Sequence, residues 1–114
     1  DIVSGKYGGK KSTAEEIEGY LDTIVSYLTE KGCDVILFNA PPQDFKETNE
    51  GIRTALNEKI PAIAEKYEAK FFDFSALLST EAEPEKAVYG GHPNGEGGTV
   101  VADAFVKQFG SMFE

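Results

Sequence analysis

One histidine, His92, sits in the run Gly90-Gly91-His92-Pro93-Asn94. Imidazole is the side chain whose ordinary titration falls nearest neutral pH, so this run is the first candidate for general acid–base chemistry. Pro93 fixes a backbone dihedral and Asn94 is able to cap a following helix, which together give the imidazole a rigid corner. The same residues also fit an exposed histidine in a glycine-rich loop. Position favours a base, because the run follows a strand in an alternating α/β chain, and open α/β sheets bind ligands at the carboxyl ends of their strands.

Other groupings carry less chemistry. Glu81, Glu83 and Glu85 are close together, but in a charged stretch with Pro84, where a solvated turn is the simpler reading than a metal or acid/base site. Asp73 interrupts the aromatic run Phe71-Phe72-Asp73-Phe74; it suits a buried functional carboxylate and equally a residue facing a helix terminus or a sheet end. Gly95, Gly97 and Gly98 suggest a phosphate loop, yet no Lys-Ser/Thr pair follows in the required order. Cys33 is the one cysteine and supplies neither an intrachain disulfide nor a thiolate metal site. Ser12 reads as a helix cap, and Ser4, Ser26, Ser75, Ser79 and Ser111 as structural or exposed residues.

The elements that must position His92 follow from hydrophobic spacing. Ser12-x-x-Glu15 and Thr13-x-x-Glu16 are both capping boxes, and Ile17, Tyr20, Leu21, Ile24, Val25 and Leu28 share one helical face up to a stop at Gly32. Residues 34–40 form an apolar run ended by Pro41-Pro42, as expected of a parallel strand covered on both faces. Thr48 or Asn49 caps a second helix with Ile52, Ala55, Leu56, Ile60, Ile63, Ala64 and Tyr67 inward, and Pro61 predicts a kink or break in it. Residues 69–75 form a second strand and 79–86 a charged loop. A last helix runs from about Glu96 to Phe113 with Val101, Phe105, Phe109 and Met112 on one side.

This order of helix, strand, helix, strand, loop and helix predicts an α/β fold with a parallel sheet. Two interior-type strands leave too many unpaired backbone edges, so the missing neighbours are expected from sequence upstream of Asp1, a second polypeptide or a swapped copy. The chain begins at Asp1 without a signal-like segment and reads as part of a larger domain, residues 1–114 being its C-terminal portion. With 20 acidic against 11 basic residues the net charge is −9, which disfavours nucleic acid. No apolar run reaches the roughly 18 residues of a membrane span. Cytoplasmic and secreted locations both stay open.

The run from Tyr89 to Gly97 resembles the last sequence block of the SGNH hydrolases, also called the GDSL esterase/lipase family, in which Asp-x-x-His-Pro-Asn precedes a C-terminal helix. Asn39-Ala40-Pro41-Pro42 at a strand end, a helix carrying Asn49, Leu56 and Asn57, and the strand at Phe71-Phe72-Asp73 fit the same order. Asp1 stands where the family's Gly-x-Asn-Asp block would end. The resemblance implies a flavodoxin-like three-layer α/β/α fold, of which this chain holds the C-terminal part. It implies His92 as the base that takes a proton from a serine nucleophile, with a small ester as substrate and neither metal nor cofactor.

Two departures follow from the same comparison. The family's Gly-Asp-Ser nucleophile block and its oxyanion-hole blocks are absent from these residues, so the serine is expected from the upstream half of the domain. Tyr89 stands where the family has the Asp that orients the histidine, and a phenol, neutral at pH 7, stabilises an imidazolium less than a carboxylate does. A non-catalytic ligand- or partner-binding module of the same shape, having lost its nucleophile blocks, is the alternative. A receiver-like signalling domain ranks third, since Asn39 rather than Asp ends the first strand.

Overall fold

A computed structural model describes residues 11–40, 47–80, 88–89, 92–93 and 95–114, with the side chains of residues 47–50, 79–80, 88–89 and 92 outside that description. In chain order the elements are helix α1 (Ala14–Glu30), strand β1 (Ile36–Phe38), helix α2 (Glu47–Lys66), strand β2 (Lys70–Phe72), helix α3 (Phe74–Thr80), strands β3 (Val88–Tyr89) and β4 (His92–Pro93), and helix α4 (Gly95–Phe109), closed by a 3₁₀ turn (Gly110–Phe113). β1 and β2 form a small parallel sheet joined through α2, while β3 and β4 form a separate antiparallel pair. The chain is thus α/β, as its alternating pattern predicts. None of the described helices is long and apolar enough to cross a membrane.

Two compact units are distinguishable, one of residues 1–38 and 45–71 and one of residues 39–44 and 72–114. In the first, α1 starts on a complete capping box: the Glu16 backbone N–H donates to Thr13 Oγ1 at 3.1 Å, and the Thr13 N–H donates to the Glu16 carboxylate at 3.3 Å. Of the two boxes in the sequence, Thr13 with Glu16 is the one used. The helix ends in a Schellman turn, with Gly32 left-handed at φ +77° and the Cys33 and Gly32 N–H groups donating to the carbonyls of Leu28 and Thr29. Helix α2 ends the same way on Glu68, at φ +54°, where Ala69 and Glu68 donate to Ala64 and Glu65. The turn at Glu68 leads through Ala69 into β2, and the turn at Gly32 leads through residues 33–35 into β1.

The core of this unit is Val25, Leu37, Ile60, Ile63 and Ala64, with Leu21, Val35, Leu56, Tyr67, Ala69 and Phe71 packed around it. Each fully buried aliphatic side chain contributes roughly 1.5–3 kcal/mol of transfer free energy. That burial explains why α2 runs through Pro61 as one helix instead of breaking. Ile60 and Ile63, on either side of the proline, are both 4% exposed, so ending the helix there would uncover them. The expectation for α1 needs a different correction. Ile17 and Val25 are buried, but Tyr20 and Ile24 are more than half exposed although they share the same apolar arc.

Polar contacts tie α1 to α2 along its other side. Asp22 accepts from Lys66 Nζ at 2.8 Å and from the Tyr67 hydroxyl at 2.6 Å, and Glu18 pairs with Lys59 at 2.9 Å. The Lys66 hydrogen bond, followed by that of Tyr67, holds the Asp22 carboxyl below its ordinary range. A depressed folded-state pKa contributes stability that is present above the unfolded value of about 3.9 and is lost as the pH falls through the folded value. Asp22→Asn should therefore lower the melting temperature modestly at neutral pH and flatten the acid side of the melting temperature against pH profile. Circular-dichroism melts between pH 3 and 7 check this; an unchanged acid slope contradicts it.

In the second unit Phe72, 2% exposed, meets Phe105 and Phe109 edge-on at centroid distances of 5.5 and 5.9 Å. Leu78 is fully buried, and α3 packs on α4. The second strand is shorter than its aromatic run predicts. It stops at Phe72, and Asp73 opens α3 instead of extending the strand to Ser75. The last helix likewise tightens to a 3₁₀ turn at Gly110, and only Phe109 of its apolar stripe is fully buried.

Candidate active site

The residues that directly follow β1 and β2 in the sequence are Asn39 and Asp73, and they are hydrogen-bonded. Asn39 Nδ2 donates to Asp73 Oδ1 at 2.7 Å, and Asn39 Oδ1 accepts from the Ser75 N–H at 2.8 Å. Asp73 Oδ1 also accepts from the Ala76 N–H at 3.1 Å, which is the bond of an N-cap. Asn39 is 9% exposed, the one polar residue of the buried set among the described residues. A short amide buried at such a place is costly unless satisfied, and here both its oxygen and its nitrogen have partners. Of the two readings of Asp73 in the sequence, the structure takes the structural one, a carboxylate at a helix terminus.

Asn39→Ala removes the acceptor of the Ser75 N–H and the donor to Asp73 together. The expected cost is about 1–3 kcal/mol, read as a lower urea midpoint at unchanged m-value. Asp73→Ala, which loses a cap from an exposed carboxylate, should cost about 1 kcal/mol. A neutral Asn39→Ala would show that the amide does not hold the start of α3.

His92 lies in β4, directly opposite Tyr89 of β3, and Pro93 lies opposite Val88. A residue before proline is pushed out of the helical region into extended backbone, so Pro93 itself favours the strand conformation of His92. Two residues later α4 begins at Gly95, and β4 packs against it. The histidine backbone is thus held between a paired strand and a helix anchored through Phe105 and Phe109 to Phe72. The register also places Tyr89, which stands where the SGNH pattern has an Asp, next to His92 across the pair.

Several residues weighed from the sequence fall outside the described set: Asp1, Ser4, Pro41, Pro42, Glu81, Glu83, Glu85, Gly90, Gly91 and Asn94. Asn49 lies in α2 and Ser79 in α3; Asn57 is half-buried, and Ser111 is exposed in the 3₁₀ turn. Cys33 is a free, exposed thiol. With Thr29, Asp34, Tyr67, Glu68 and Lys70 it borders a shallow hollow of about 220 Å³ at the amino ends of β1 and β2. That end of a parallel sheet is not where open α/β folds bind ligands. Sequence reasoning did not foresee the Asn39–Asp73 pair. Its only sequence signal is that each residue is the first polar one after an apolar strand.

No protein-family profile matches the chain, and no curated protein sequence does. Solved structures do. A protein described as a GDSL-like lipase, from Parabacteroides merdae, superposes with a TM-score of 0.77 at 17% identity, over 96% of this chain and 55% of its own. An α/β hydrolase from the metagenome of Lake Arreo, Spain, gives 0.73 at 18% identity over 94% and 52%, and an acetylxylan esterase from Geobacillus stearothermophilus gives 0.70 at 20% over 94% and 52%. The chain therefore has the α/β fold of the SGNH hydrolases. It spans about half the length of these structures and fits the C-terminal portion of that fold. At these identities the likeness is one of fold.

Proposed function

We propose that these residues are the base-bearing portion of a serine esterase of the SGNH type, acting on short acyl esters, with acetyl groups on carbohydrate as the favoured substrate class. The observation that carries this reading is His92 on its strand-and-helix mount, in a fold shared with esterases. The acetyl preference is supported by the acetylxylan esterase among the similar structures. A serine from the part of the domain outside these residues attacks the acyl carbonyl while His92 takes the Oγ proton. Donors outside these residues hold the oxyanion, and His92 passes the proton to the departing alcohol. Water then attacks the acyl-serine while His92 takes its proton, and as the acyl–Oγ bond breaks His92 returns that proton to the serine Oγ and the acid leaves.

The complete polypeptide that carries this sequence should hydrolyse 4-nitrophenyl acetate with saturation kinetics. A folded protein without turnover would favour the alternative of a binding module, to which Tyr89 in place of Asp gives its own support. With Tyr89 in place of the Asp, the imidazole tautomer is fixed by a backbone carbonyl, giving a Ser-His dyad, or by a carboxylate from elsewhere in the domain, giving a rebuilt triad. Tyr89→Phe should then leave kcat within a few-fold, whereas Tyr89→Asp, which sets a carboxylate across the pair from His92, should keep or raise it. A collapse of kcat in Tyr89→Phe would instead assign the orienting role to the phenol.

A further inference from the structure

Helix α1 has three differently occupied sides. Glu18 and Asp22 reach Lys59, Lys66 and Tyr67 of α2 and the turn after it. Ile17 and Val25 are buried. Tyr20, Ile24 and Tyr27, at successive turns of the helix, are 59%, 54% and 59% exposed. At about 100° per residue, Tyr20 and Tyr27 lie roughly 140–160° around the axis from Asp22, on the flank turned away from α2. Single exposed apolar residues are ordinary on a protein surface, but a contiguous stripe of this kind marks an interaction face.

The topology says which neighbour belongs there. Parallel crossovers are right-handed, so the helices of successive crossovers that step the same way lie side by side on one face of the sheet. α2 is the crossover between β1 and β2, and α1, which leads into β1, packs against it. The place in that layer opposite α2 is the flank of Tyr20, Ile24 and Tyr27. Among the described residues the parallel sheet has two strands, and solved structures of the same fold are nearly twice as long as the stretch matched. A second copy of this chain is the poorer fit, because two surfaces of an acidic chain with net charge −9 repel each other.

We propose that Tyr20, Ile24 and Tyr27 form the seat of a helix from the part of the same SGNH-type domain that lies outside these 114 residues. The proposal rests on the domain organisation assumed under the esterase reading but not on ester hydrolysis. The occupant presents an aliphatic face to Ile24, and the two phenol hydroxyls stay at the wet rim of the contact.

Cysteine labelling tests it without any activity readout. In a Cys33→Ser background of the complete polypeptide, Ile24→Cys should react with a maleimide at least roughly tenfold more slowly than Glu30→Cys, an exposed control on the outer side of α1. In the 114-residue chain alone, the two rates should approach each other. Tyr20→Cys reads the same flank should Ile24→Cys impair folding, which circular dichroism reports. Equal rates in the complete polypeptide overturn the proposal. So does equal protection in the isolated monomeric chain, which would mean that its own residues cover the flank. Protection that appears only with a dimer in sedimentation assigns the face to a second copy instead, and a complete polypeptide with no further helix has no occupant to offer.

Discussion

His92→Ala in the complete polypeptide should lower kcat for 4-nitrophenyl acetate by roughly 10³-fold or more while the melting temperature stays close to that of the parent. The loss falls on kcat because the imidazole moves a proton in the transition state and adds little to substrate binding. The fold is spared because β4 is held by backbone pairing to β3 and by packing on α4, neither of which needs an imidazole. His92→Gln, which keeps a polar side chain without the base, should be as inactive as the alanine variant. Activity within a few-fold of the parent would remove His92 from the chemistry and leave the binding-module reading standing.

The largest stability effect is expected at Phe72. Phe72→Ala removes a ring that is 2% exposed and sits edge-on to Phe105 and Phe109, and should cost about 3–5 kcal/mol. Against a typical domain stability of roughly 5–15 kcal/mol that is a large share. Phe113→Ala is the matched control: its ring also contacts Phe105, at 6.3 Å, but is 71% exposed, so its loss should be barely measurable. Urea titrations followed by circular dichroism compare the two. Similar midpoints for both variants would contradict the placement of the aromatic cluster around Phe72.

Much of this was readable from residue types and spacing. The capping box and glycine stop of α1, the two parallel strands and the last helix all follow from local rules that the tertiary structure respects. The boundary at Asp73 did not, because Phe71, Phe72 and Phe74 form an apolar run whose β-propensity hides the change of period. The signal was there in a weaker form: Asp73 followed by Phe74, Leu77 and Leu78 is a cap with apolar residues at helical spacing. The exposure of Tyr20 and Ile24 could not be read at all, since periodicity shows which residues share a face and not whether a neighbour covers it. For the site, the helix that follows His92 and Pro93 was legible in the sequence, whereas the pairing of His92 with Tyr89 was not. The Asn39–Asp73 bond joins residues 34 positions apart and needed the fold.

The most direct test of the central claim is to treat the complete polypeptide with diisopropyl fluorophosphate and map the adduct. A single phosphorylated serine outside residues 1–114 is predicted, formed in the parent and slowed in His92→Ala by a factor close to the loss in ester hydrolysis. An adduct on any of the six serines within residues 1–114, or a labelling rate indifferent to His92, would contradict the assignment of His92 as the base for a serine supplied by the rest of the domain.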